Sequence, residues 1–182
     1  MSKLIQMEAF RRQRWAERAF ARWQRRVGFT PGADTRLADI DNAGLMTLAE
    51  LADPAVLALY DLVLGVRNWG PGEKFHYLES WRKMEALDAY LFLADQVRFE
   101  VMRRLGWVVG LAGEDRTLLE LADRPGEIQA ASRLKVPQLQ PDYHRYDDLE
   151  QQYSVEPAAA VRSIIPEALS AFKKLVEEGP KP

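Results

Sequence analysis

Glu73 and His76 stand three residues apart in Glu73-Lys74-Phe75-His76. On a helix that spacing puts a carboxylate and an imidazole on one face, as in the Glu-x-x-His pairs of di-iron bundles. Such a centre needs the pair twice. The only other histidine is His144, and Pro141 occupies the place of its glutamate. Cysteine is absent, which excludes thiolate ligands, disulfides and cysteine nucleophiles. No His-x-x-x-His pair supplies a zinc spacing either. We therefore expect no metal and no cofactor, with Glu73 and His76 a surface pair at a helix start.

Three further constellations carry chemistry. Asp88 and Asp95 lie seven residues apart, about two helical turns or ~10 Å. That is too far to share a proton or a metal unaided, and ion pairs with a neighbouring helix are expected. Around the stiff Asn68-Trp69-Gly70-Pro71-Gly72 turn, Trp69, His76, Tyr77 and Trp81 combine aromatic surface with a few polar groups. This is the make-up of a small-molecule pocket, and equally of a bundle end closed by rings. Signatures of phosphate loops, dinucleotide folds and nucleophile elbows are absent, so no catalytic residue is assigned.

The third constellation is a row of arginines. Arg11, Arg14, Arg18, Arg22 and Arg25 recur at helical spacing, opposite a stripe of Ala9, Ala16, Phe20, Trp23 and Val27. Residues 1–27 hold eight cations and two carboxylates, a net +6, which leaves −8 on the rest of a chain of net charge −2. A basic helix on an acidic body points to a partner of opposite charge. An acidic protein docking through these arginines, with Trp23 as an anchor, is the leading reading. Nucleic acid is the less favoured partner, because the chain as a whole is acidic. An anionic membrane is disfavoured by the few large apolar groups on the opposite side. Against all three stands a plain alternative, in which the face is solvated or folded onto the acidic body.

These residues need helices to position them. Composition is globular, with 47% hydrophobic and 29% charged residues, and 182 residues suffice for one domain with its own core. The spacing predicts an amphipathic helix over 2–27, free of Gly and Pro, then helices over 39–52 and 55–67. The latter is apolar on nearly every side and so belongs in the core. A Gly- and Pro-free run from Glu73 to Leu105 predicts one helix of about 50 Å. Its stripes are Met84, Leu87, Leu91, Ala94, Val101 and Leu105, and then Tyr77, Trp81, Phe92 and Phe99. Two apolar faces suit a core position or a homodimer contact. Further helices are expected over 117–122, 127–134, 157–162 and 166–178. The segment 136–156 reads as an irregular surface stretch, and 179–182 as a frayed tail.

The fold class expected is all-α, an irregular multi-helix bundle with 73–105 as its spine. No apolar run is long enough to span a membrane, and no secretory leader is seen at the N-terminus. Arg-rich, Ala/Leu-rich coding and the lack of cysteine suggest a bacterial, cytoplasmic protein. Function reads as a non-enzymatic adaptor or regulatory subunit. The alternative is a ligand-binding protein or enzyme with its pocket at Trp69–Trp81.

Overall fold

The computed structural model describes residues 3–132 and 135–179, the side chains of residues 3–6 apart. The expected helix start at Ser2, the helix end at Leu134 and the tail from Pro180 lie outside the described residues. Ten helices are present among the described residues, with a single two-stranded ribbon, so the molecule is an all-α, multi-helix fold. In chain order they are α1 Lys3–Ala19, α2 Trp23–Val27, α3 Asn42–Ala49, α4 Asp53–Val66 and α5 Ser80–Arg104. There follow α6 Leu118–Asp123, α7 Pro125–Ala131, α8 Tyr146–Val155, α9 Pro157–Ser163 and α10 Ile165–Glu178. No described helix is long and apolar enough to cross a membrane.

Helix α4 sits at the centre of the packing, touching α1, α2, α3, α5 and α6. Its apolar surround explains why. Ala55, Ala58, Leu59 and the run Leu62–Val66 are all buried. Pro54 lies in the first turn, where a missing N–H costs nothing. Asp41 caps α3, its carboxylate accepting the Gly44 N–H at 2.7 Å. Thr117 and Glu120 form a capping box at α6.

The long helix is shorter than expected. Residues 72–77 form a 3-10 turn, Leu78 and Glu79 are extended, and α5 begins only at Ser80. No Gly or Pro marks this break; tertiary contact makes it. The Gly72 N–H donates to buried Asp61 at 2.6 Å, and a Cβ on Gly72 would lie 2.7 Å from the Leu57 carbonyl. Phe75 meets Tyr60 with ring centroids 4.5 Å apart. The segment is therefore held on α4 and cannot extend α5. The surviving 25-residue helix is about 37 Å long.

The expected stripes of α5 are also corrected. Its core face runs through Ala86, Ala89, Leu93 and Val97, and Phe92, Phe99, Val101 and Met102 are buried beside it. Met84, Leu91, Trp81 and Tyr77 are exposed. The C-terminal half is buried on most sides by α3, α6 and α10.

The N-terminal helix does not run unbroken to Val27. It stops at Ala19, turns over residues 20–22, and resumes as α2. The turn lets Phe20 and Trp23 enter the core together, ring centroids 5.1 Å apart. Nor is 136–156 an irregular surface stretch. Gln138–Leu139 pairs antiparallel with Val108–Val109, and residues 146–155 form α8. Val136, Leu139, Tyr143 and Leu149 are buried, so this segment closes the core beyond the end of α5. The polar residues that suggested a loop form the outer face of α8.

Candidate functional site

Helix α1 is rooted on α4 by small residues. Ala16 and Ala19 are buried, and a Cβ on Gly65 would lie only 2.7 Å from the Ala19 Cα. Only glycine permits two helix backbones to approach this closely. Upstream the helix leaves the body: every residue from Met7 to Arg14 is exposed. The arginines of the row are carried on this part and its continuation. Arg11, Arg14, Arg18 and Arg25 are exposed and Arg22 is half-buried.

Among the described residues, no carboxylate forms an ion pair with Arg11, Arg14, Arg18, Arg22 or Arg25. Two of them rest on aromatic rings. The Arg11 guanidinium lies 4.6 Å from the Trp15 ring centre and that of Arg14 lies 5.8 Å from the Phe10 ring. Met7 and Phe10 are 70% and 65% exposed beside them. The outer surface of α1 thus alternates guanidinium groups with large apolar side chains. Sequence reasoning placed the apolar groups on the opposite stripe and missed Met7 and Phe10.

Trp23 requires a correction. It is fully buried, with edge contacts to Phe20 and to Phe29 at 5.1 and 5.6 Å. A partner cannot reach it, and the anchoring role expected of it is excluded. Its side chain fills the corner that the 20–22 turn creates.

Arg26 stands one residue off the row and behaves differently. Its Nε donates to Asp61 at 2.5 Å and its second nitrogen to Glu73 at 2.7 Å. Asp61 also accepts the Gly72 N–H, so its charge is neutralised and its oxygens are bonded. The Arg26 hydrogen bond holds the Glu73 carboxyl below its ordinary range. A sequence signal did exist for this network: beyond Asp53 at its first position, Asp61 is the one acid of the otherwise apolar α4.

The second buried carboxylate is Glu100. It accepts from Arg103 at 2.7 Å and from Arg104 at 2.9 Å. Burial alone would raise its pKa, yet these hydrogen bonds outweigh it and hold the group below the usual value. Arg104 in turn donates to the carbonyls of Leu37 and Ile40 at 3.0 and 2.7 Å. It thereby fastens the chain before α3 to the end of α5.

In the Trp69–Trp81 region the structure brings together only part of the expected set. Trp69 and Trp81 meet edge to face at 5.9 Å. The Arg82 guanidinium sits 5.5 and 5.1 Å from their ring centres. His76 contacts Phe75 instead, at 5.5 Å, and Tyr77 is 87% exposed. Glu73 and His76 do not form a metal pair, since Glu73 is turned to Arg26. Among the described residues, no cluster of three or more His, Asp or Glu could hold an ion. Asp95 pairs with Arg162 of α9 at 2.7 Å, the interhelical ion pair expected of it, while Asp88 is exposed.

His144 belongs to a group that sequence reasoning did not find. Glu167 of α10 pairs with His144 at 2.7 Å and accepts from Tyr143 and Arg145 at 3.0 Å each. Burial and the bond to Glu167 push the Tyr143 hydroxyl up to about 12. With its oxygens so engaged, Glu167 clasps the start of α8 to α10. Three consecutive side chains meeting a residue more than twenty positions away leave no local periodicity to detect. No protein-family model matches the chain, and neither a curated protein nor a solved structure does.

Proposed function

We propose that the protein is a non-enzymatic adaptor or regulatory subunit, and that it docks an acidic protein through the exposed surface of α1. The observation that carries this reading is the state of Arg11, Arg14 and Arg18. These guanidinium groups are solvent-facing, lack a carboxylate partner among the described residues, and alternate with exposed Met7 and Phe10. Arginine with adjoining aromatic surface is the composition of an energetic centre at protein interfaces. Phe10 and Met7 take over the apolar part first read for Trp23. The acidic remainder of the chain disfavours a dedicated nucleic-acid binder. A cytoplasmic location and self-association through exposed Trp81, Met84 and Leu91 of α5 belong to the same reading. The alternative, a ligand pocket at Trp69–Trp81, has less support, because those rings pack on each other and on Arg82.

Affinity capture from the native cells, with nuclease present, tests the proposal. The Arg11→Glu/Arg14→Glu/Arg18→Glu variant should lose one specific acidic protein that the wild type retains. If every association survives the reversal, the docking reading is wrong.

A further inference from the structure

A groove of about 530 Å³ opens between α1 and the segment around α6 and α7. That volume falls within the ~300–1,000 Å³ range of small-molecule sites. Arg11 and Arg12 line it from α1, Arg116 and Arg124 line it from the body, and Trp15, Leu111 and Ile128 supply apolar surface. Two separate parts of the chain therefore direct four arginines into one concavity, where Glu8, Glu120, Asp123 and Glu127 also line the wall.

How these arginines are held distinguishes them. Arg26, Arg67, Arg103, Arg104 and Arg162 each grip a carboxylate at 2.5–2.9 Å. In the groove the contacts are long. Arg12 approaches Asp34 at 4.0 Å, and Arg116 approaches Glu120 at 3.7 Å. Arg124 lies 3.4 Å from Asp123 and 3.7 Å from Glu127. Arg11 has no carboxylate partner among the described residues and rests on Trp15.

The acceptors on the groove wall do not match these donors. Glu120 is divided between two duties: one oxygen accepts from the Thr117 N–H at 2.9 Å and the Thr117 hydroxyl at 3.1 Å, and the other faces Arg116 at 3.7 Å. Among the described residues Asp123 and Glu127 both pair with Arg124, and Glu8 lies on α1 beside the arginines. Each guanidinium carries five donors in a planar fork. The group that satisfies several such forks at once is a phosphate, whose oxygens accept paired, charge-assisted hydrogen bonds.

We infer that this groove binds a small phosphate-bearing molecule with a flat or apolar body, of the nucleoside polyphosphate class. Its phosphates lie among Arg11, Arg12, Arg116 and Arg124, and its body lies against Trp15, Leu111 and Ile128. A ligand so placed ties α1 to the body of the molecule. Arg11 is shared with the docking reading, but Arg116 and Arg124 are no part of the outer surface of α1, so substitutions there test the groove separately.

Titration calorimetry at low salt with ATP, inorganic pyrophosphate and adenosine tests it, with tryptophan fluorescence as a second readout. ATP should bind, pyrophosphate more weakly, and adenosine not detectably. Arg116→Gln/Arg124→Gln should weaken ATP by about tenfold or more while leaving partner capture intact. Glu127→Gln, on an exposed side chain, removes one of the two carboxylates beside Arg124 and should tighten ATP by about two- to fivefold. Absence of binding by ATP and pyrophosphate at millimolar concentration overturns the site. Unchanged ATP affinity in Arg116→Gln/Arg124→Gln, with matched circular dichroism, overturns it as well. Pyrophosphate binding as tightly as ATP removes the role given to Trp15 and the groove floor.

Discussion

Two sets of arginines in this molecule have the same side chain and opposite fates. Arg26, Arg103 and Arg104 close on the buried carboxylates of Asp61 and Glu100 with bonds of 2.5–2.9 Å. Arg11, Arg14 and Arg18 extend from α1 with no carboxylate partner among the described residues, Arg11 and Arg14 resting on aromatic rings. The first set is bound into the fold, where removing one partner leaves the other charge stranded in a low dielectric. The second set contributes almost nothing to folding, since an exposed, unpaired cation gains as much from water as from the protein. Helical spacing therefore does not separate structural from available arginines. What separates them is whether a carboxylate from a distant part of the chain arrives beside them.

Asp61 is where the bound set of arginines is most directly disrupted. Asp61→Ala leaves Arg26 with Glu73 as its one remaining carboxylate among the described residues and the Gly72 N–H without its acceptor, and should cost about 3–5 kcal/mol of unfolding free energy in urea. A loss below ~1 kcal/mol would mean that the buried network is not what holds α2 and the 72–77 turn on α4. Next in size is an acid effect at Glu100. Its folded pKa lies below the ordinary 4.5, so the unfolded chain takes up the proton first. The stabilisation is complete above about 4.5 and is lost as the pH falls through the lower folded value. Urea midpoints should drop over that acidic window, and Glu100→Gln should flatten this part of the slope while starting from a lower midpoint at pH 7. The smallest effect belongs to the outer surface. Arg11→Gln, Arg14→Gln and Arg18→Gln should leave both the urea midpoint and its pH dependence unchanged. A clear destabilisation by any of them would show that the surface is packed and not available.

Much of the helical content was legible because it rests on local properties. The apolar surround of the helix expected over 55–67 and the Gly- and Pro-free run of α5 both act within a few residues. The break at Leu78–Glu79 was not legible, because the Gly72–Asp61 bond and the Phe75–Tyr60 contact that cause it lie outside that run. Likewise α8 was hidden, since its polar sequence reads as loop until Leu149 and the neighbouring Tyr143 find the core. Of the candidate site, the arginine row was visible as spacing. The burial of Trp23 was not, because a straight helix and a helix broken at residues 20–22 share the same pattern up to the break.

By itself the amino-acid sequence determined the all-α class, the position of α4 in the core, the absence of cysteine chemistry and the basic-arm, acidic-body imbalance. Each of these follows from composition or from spacing within one helix. Only the tertiary structure decided which cations are neutralised. Arg26 meets Asp61 across 35 positions and Glu73 across 47. Such pairings depend on how α2, α4 and the 72–77 turn pack, and no periodicity along the chain encodes that.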